Sequence, residues 1–264
     1  MTIEKPADIP GWFMWDDQEV FDALLSAQDR AGTLIELGVY LGRSAVAIGA
    51  QRRPDERFVV VDLFGRDAGE SADGRPRARV RRYRSLRREE FERNYLSVLP
   101  DLPEIVEGPS TEIVDHVSPG EARFVHIDAS HLYAQVAEDL RNAAKLLSSD
   151  GVVVLDDYRA PHTPGVAAAG WEAVVSHGLV PIALTHQKMY ATWGDPEPHL
   201  QVIRRLIAND RRLSEFEQDV LGHTLIRIKA EGRGKRRSGA AQAPRARGGA
   251  IRRLARQVKR RLTR

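Results

Sequence analysis

Two short segments of this 264-residue chain concentrate side chains able to hold an ion and move a proton. His126-Ile-Asp128-Ala-Ser-His131 closes one apolar run, and Val152-Val-Val-Leu-Asp156-Asp157 closes the next. On neighbouring strands, about 4.8 Å apart, Asp128 and Asp156 bring their carboxylates close enough to share one cation, and three acids gathered there repel without one. Asp156 and Asp157 would point to opposite faces of a continuing strand, so joint ligation requires the backbone to leave extended geometry between them. The chain has no cysteine, and an all-oxygen donor set suits a hard ion, Mg²⁺ with retained water fitting best. His131 lies three residues past Asp128, within reach of the same pocket. A neutral imidazole there can take the proton of a hydroxyl whose pKa the metal lowers. Taken singly, each residue is also explained by ordinary turn chemistry, an Asp capping the next helix or a His closing a loop. Their conjunction at successive run ends is what favours a site.

A second constellation lies earlier. Glu36-Leu-Gly38-Val-Tyr40-Leu-Gly42-Arg-Ser44 stands between an apolar run and a helical stretch, and the next apolar run ends in Asp62. Two glycines let the backbone turn tightly and let a ligand lie against it, while the following helix offers free N–H groups to the same space. Neither the G-x-G-x-x-G dinucleotide fingerprint nor a phosphate-binding loop is present, which favours a nucleoside ligand without a pyrophosphate. Asp62 is placed to accept from two ribose hydroxyls. The competing reading is that the glycines only end a strand and Asp62 only caps a turn.

The elements that must position these residues follow from the apolar periodicity. A helix is expected over 17–30, a strand over 33–37, a helix over 43–51, strands over 57–62, 104–106 and 123–128, a helix over 136–147 and a strand over 151–156. Near-continuous apolar strands alternating with helices make a mostly parallel sheet buried on both faces, an α/β, three-layer doubly wound sandwich. Beyond it come a helix over 166–177, a strand pair over 179–185 and 188–193, a long helix over 198–221 and a last strand over 224–228. The polar, arginine-dense stretch 63–94 is read as a mobile loop plus helix above the strand tips, not as core.

This set of residues, with Glu107-Gly-Pro-Ser110 after the third strand, resembles the class I S-adenosylmethionine-dependent methyltransferases over roughly residues 10–230. The resemblance implies that S-adenosylmethionine binds Glu36, Gly38, Gly42, Ser44, Asp62, Ser110, Thr111 and Asp128. Gly38 and Gly42 would lie near its methionine end, Asp62 would hold the ribose, and Ser110 with Thr111 would border the adenine. Asp-x-x-His followed by Asp-Asp at the next strand end is similar to the magnesium-dependent sugar O-methyltransferases of the macrocin and mycinamicin type. By that likeness Asp128, Asp156 and Asp157 are metal ligands, and His131, with Asp128, is catalytic. The expected function is an S-adenosylmethionine-dependent, Mg²⁺-dependent O-methyltransferase of a sugar or glycan hydroxyl. The alternatives are a phenolic or secondary-metabolite acceptor and, in another class, a non-catalytic nucleoside-binding or nucleic-acid-associated protein.

Charge is distributed unevenly. The net charge is +3, yet residues 232–264 hold thirteen of the 40 Lys and Arg residues and none of the 37 acids. The body therefore carries a net negative charge and the tail a strongly positive one. Residues 1–231 are read as the methyltransferase domain, 232–249 as a flexible basic linker, and 250–264 as a short basic amphipathic helix, its Ile251, Leu254, Val258 and Leu262 recurring at helical spacing. Such a helix suits an anionic membrane surface in preference to nucleic acid. No apolar run approaches the ~20 residues of a membrane span, and 1–15 lacks the pattern of a secretory signal, so the expected place is the cytoplasm, peripheral to the inner face of the membrane. A homo-oligomer is left open. Trp12, Trp15 and Tyr158 are read as core edges or sugar-stacking rings, His162 and His186 as surface or core histidines or acceptor-facing ones, and the arginine run 75–88 as a solvated face or an attraction for an anionic acceptor.

Overall fold

A computed structural model describes residues 5–66 and 85–231 of the chain. The linker 232–249, the helix expected over 250–264 and most of the arginine run lie outside the described residues. Six α-helices and nine strands are described: α1 Trp15–Ala27, β1 Thr33–Leu37, α2 Arg43–Gly49, β2 Phe58–Asp62, α3 Arg88–Leu96, β3 Glu104–Glu107, β4 Ala122–Ile127, α4 Tyr133–Leu146, β5 Leu147–Leu155, α5 Pro164–Ser176, β6 Val180–Leu184, β7 Met189–Thr192, α6 Glu197–Asn209, β8 Leu213–Val220 and β9 His223–Ala230.

All nine strands form one sheet in the order β3-β2-β1-β4-β5-β7-β6-β9-β8. The first five are parallel; β7 runs antiparallel to both β5 and β6. Strand order reverses between β1 and β4, and the carboxyl edge of a doubly wound sheet binds its ligand at such a switch point. Alternation along each strand feeds two cores. Leu34, Val60, Phe124 and Val154 face α1, α2, α3 and α6, while Ile35, Val59, Val125 and Val153 face α4 and α5. This is the expected three-layer sandwich.

One buried ion pair clamps the amino edge. Arg123 on β4 is fully buried and donates Nε and Nη2 to the two Glu56 oxygens, each at 2.7 Å. Its Nη1 donates to Leu25 O and Gln28 Oε1, and Nη2 also reaches Gln51 O. One guanidinium thus ties α1, the end of α2, and the approach to β2 onto β4.

Two expectations give way. The long helix over 198–221 ends at Asn209, and Leu213–Val220 pairs antiparallel with β9 instead. The turn between them is Leu221-Gly222, with φ of 57° and 79°, the doubly left-handed turn that joins a tight hairpin. Phe216 on β8 is 58% exposed, so the apolar residues that mimicked helical spacing there do not face one core. In the insertion the expected helix is present as α3, but one face of it is core, because Phe91, Asn94 and Tyr95 are buried against α2 and Asn94 Nδ2 donates to Leu41 O at 3.0 Å. The glycine turn is propped from below by this helix.

Candidate active site

Register brings the predicted residues into one row. Leu37 lies opposite Val61 on β2 and Ile127 on β4, and Ile127 lies opposite Leu155 on β5. The residues one step further, Asp62, Gly38, Asp128 and Asp156, therefore stand side by side along the carboxyl edge. The ladder continues through them: Gly38 N–H donates to Val61 O, Asp128 N–H to Leu37 O and Asp156 N–H to Ile127 O. Leu155 also pairs with Met189 of antiparallel β7, which sets Lys188 opposite Asp156 at the end of the row.

Gly38 has to be glycine. Its φ is +84°, and a Cβ there would lie 2.4 Å from Asp128 O. Asp62 folds the turn: Oδ2 accepts from the Val39 and Tyr40 amides and Oδ1 from that of Phe64. Burial pushes the Asp62 carboxyl up against the pull of these three amides. The residue expected to hold a ribose thus first holds the loop on which a ribose would lie.

A cleft of about 940 Å³ opens above the row, within the range of small-molecule sites. Gly38, Asp62, Ser110, Thr111 and Asp128 line it, as do Asp156, Asp157 and His131. Glu36, Gly42 and Ser44 do not. Glu36 is fully buried one layer below, Gly42 caps α2 in left-handed geometry against Phe91, and Ser44 sits inside the first turn of α2. Trp12, 44% exposed, lines the cleft beside Tyr40, and His162 and His186 line it too. Tyr158 belongs to the core, and Trp15 carries the Arg212 guanidinium over its ring.

The Asp pair breaks as the ligand geometry requires. β5 ends at Leu155, and Asp157 has φ of +56°, so the two carboxylates leave the alternation of the strand. Asp156 Oδ1 accepts from the Asp157 amide at 2.8 Å, and Asp157 Oδ2 lies 3.3 Å from His131 Nε2. His131 Nδ1 is buried, and Nε2 is the nitrogen that faces Asp157. Burial, then the neighbouring Asp156, pushes the Asp128 carboxyl well above the usual carboxylate range.

Behind this row stands a polar chain that the sequence reading did not single out. Glu36 and His126 are register partners on β1 and β4, and Glu36 Oε1 meets His126 Nδ1 at 2.9 Å. Lys188 Nζ meets His126 Nε2 at 3.0 Å and Asp156 Oδ2 at 2.7 Å. Burial, then Lys188, lowers the His126 pKa, so the ring is neutral, with Nδ1–H donating to Glu36 and Nε2 accepting from the ammonium. Burial raises Asp156, but the Lys188 ammonium, with His126 and the Asp157 amide, holds the carboxyl below its ordinary value. Lys188 is 1% exposed. Only a strand start in an apolar segment marked it, and a buried lysine is rare enough that its type alone argues for exposure.

As a metal site, the atoms of His126, Asp128 and Asp156 lie within 4.8 Å of one another. Both His126 nitrogens are engaged, which removes it from the donor set. What faces the cleft is carboxylate oxygen from Asp128, Asp156 and Asp157, a set that fits a hard divalent ion.

One carboxyl beneath the cleft reports on pH. Asp139 on α4 is fully buried, and burial pushes it up to about 7, with Ser110 beside it opposing. The folded state therefore holds this proton more tightly than the unfolded chain. Its contribution is present in full below pH 3.8 and is lost as pH rises through about 7. Wild-type stability should fall over that window by up to about 4 kcal/mol from this residue, and Asp139→Asn should flatten the fall. Urea unfolding at pH 4.5 and pH 8 measures it; equal slopes for the two proteins would refute the assignment.

Residues 35–158 match a methyltransferase domain family. Among solved structures, CalS11, a calicheamicin methyltransferase, aligns with a TM-score of 0.52 at 20% identity, covering 68% of this chain and 79% of that one. The O-methyltransferase NovP aligns with a TM-score of 0.51 at 22% identity, over 68% and 81%. An apo structure of CalS11, described as a TDP-rhamnose 3'-O-methyltransferase, aligns at 0.47 and 20%, over 68% and 80%. No curated protein matches. The two likenesses with TM-scores above 0.5 establish the fold. Among the described residues, no helix is long and apolar enough to cross a membrane.

Proposed function

We propose that this chain, which carries a methyltransferase domain in the class I fold, transfers a methyl group from S-adenosylmethionine to a hydroxyl of a sugar or glycan, with Mg²⁺ at its carboxylates. The observation that carries the reading is the row Asp62, Gly38, Asp128, Asp156 at the floor of one cleft. Its Gly38 end offers backbone room and the Gly108–Thr111 turn to a nucleoside. Its Asp156 end offers carboxylates and histidines to a polyol, beside the exposed Trp12 ring on which a sugar face can stack.

Asp128, Asp156 and Asp157 would hold the ion, which when bound lowers the pKa of an acceptor hydroxyl. His131 takes the hydroxyl proton, and the Asp157 carboxylate, 3.3 Å from Nε2, stabilises the imidazolium that results. The acceptor oxygen forms its bond to the methyl carbon as the sulfur–carbon bond breaks, leaving S-adenosylhomocysteine. Alignment of the two partners over the sheet edge supplies most of the acceleration. Calorimetry with S-adenosylmethionine, followed by a methyl-transfer screen of sugar and catechol acceptors with and without EDTA, tests the reading. His131→Ala should lower kcat about 10²- to 10⁴-fold with cofactor affinity unchanged. No cofactor binding would end the enzymatic reading, catechol turnover alone would move the acceptor to phenols, and full activity in EDTA would remove the ion.

A further inference from the structure

Three acids around one ion carry more negative charge than a divalent cation neutralises, and the fold already contains a counter-charge. Lys188 stands opposite Asp156 in the register of β5 and β7, is 1% exposed, and places Nζ 2.7 Å from Asp156 Oδ2. Its ammonium is held from behind by His126 Nε2 at 3.0 Å and lies 5.5 Å from the centroid of the Phe13 ring. His126 is in turn held by Glu36, and neither Glu36, His126 nor Lys188 lines the cleft. The lysine therefore cannot swing into solvent to vacate the cluster. Asp17 on α1 lies nearby, its Oδ1 engaged by Thr185 Oγ1 and the Tyr190 hydroxyl, each at 2.7 Å.

We infer that Lys188 is a built-in cation of the carboxylate cluster that shares Asp156 with the divalent ion, keeping the cluster assembled when no ion is bound and weakening the affinity for one. This rests on the metal assignment made above and goes beyond it by naming what sets the strength of binding. Two cations on one carboxylate repel, so each lowers the other's hold. With all three carboxylates ionised, as ligation of a cation requires, and one ammonium, the cluster has a net charge of −2, which a divalent ion balances; without the lysine it would be −3. Lys188 acts through Asp156 and is a positioning residue.

Titration of the purified full chain with Mn²⁺, and then Mg²⁺, by calorimetry reads this without any turnover. Lys188→Met should bind Mn²⁺ at least tenfold more tightly than wild type, while its metal-free form melts at a lower temperature and regains most of the loss when Mn²⁺ is added. Lys188→Arg, which keeps the charge, should stay within about threefold of wild type. Equal or weaker binding in Lys188→Met, or no Mn²⁺ binding by wild type and variant alike, overturns the inference. If Lys188→Met does not fold, Asp156→Asn and Asp128→Asn decide. Asp156 already shares its charge, so Asp156→Asn should cost less Mn²⁺ affinity than Asp128→Asn, and an equal or larger cost refutes the role given to Lys188. Failure of S-adenosylmethionine binding would sink the methyl-transfer reading and leave these affinities standing.

Discussion

Asp157→Ala is expected to lower kcat for methyl transfer by roughly 10²- to 10⁴-fold while S-adenosylmethionine affinity stays within about twofold of wild type. Asp157 is the informative acid because it faces His131 Nε2 at 3.3 Å and takes no part in the glycine turn. Asp128, by contrast, stands beside Gly38 in the row and lines the same cleft as the glycine turn, so a substitution there does not separate the two ends of the site. The backbone has to be controlled for: Asp157 has φ of +56°, which Asp and Asn tolerate better than Ala. Asp157→Asn keeps that preference and removes the charge, and it should fall with Asp157→Ala. Since Asp157 and His131 act as a unit, the double variant His131→Ala with Asp157→Ala should be little worse than either single. Steady-state kinetics with a saturating acceptor checks all four proteins. Retained turnover in Asp157→Asn would take this residue out of the chemistry.

The largest stability effect is expected at the other edge of the sheet. Glu56→Ala leaves the fully buried Arg123 guanidinium without its carboxylate and should cost about 3–5 kcal/mol. For a domain of this size that is a fall in Tm of about 10 °C. Against burial, hydrogen bonds from Arg123 hold the Glu56 carboxyl below its ordinary value, as expected of a satisfied pair. Removing both partners is a different experiment. Glu56→Leu with Arg123→Met leaves no lone buried charge and should recover much of the loss, although Leu25 O, Gln28 and Gln51 O then lose a donor. Urea unfolding of the single and double variants separates the cases; a Glu56→Ala cost below about 1 kcal/mol would mean the guanidinium finds water.

The expectations that succeeded and those that failed divide along one line. β1, β2, β4 and β5 could be read because their apolar runs are short, continuous and closed by glycine or aspartate. The β8–β9 hairpin could not: Leu213–Val220 is an edge strand with one strongly exposed aromatic, and its turn depends on Leu221 accepting a left-handed φ beside Gly222. Trp12 could be weighed as a sugar platform or as core, and only its exposure beside Tyr40 separates the two.

By itself, the order of residues determined which groups end each strand, because an acid or glycine that closes an apolar run must emerge at the sheet's carboxyl edge. From this come the fold, the glycine turn and the gathering of Asp128, Asp156 and Asp157. Tertiary structure alone decided what those acids meet. Lys188 is 32 residues from Asp156 and 60 from Asp128 and reaches the cluster only because β7 runs antiparallel beside β5, and Glu36 meets His126 only because β1 and β4 share a register. Local sequence sets the position of a side chain along its own strand; its neighbours across strands follow from pairings that no local pattern records.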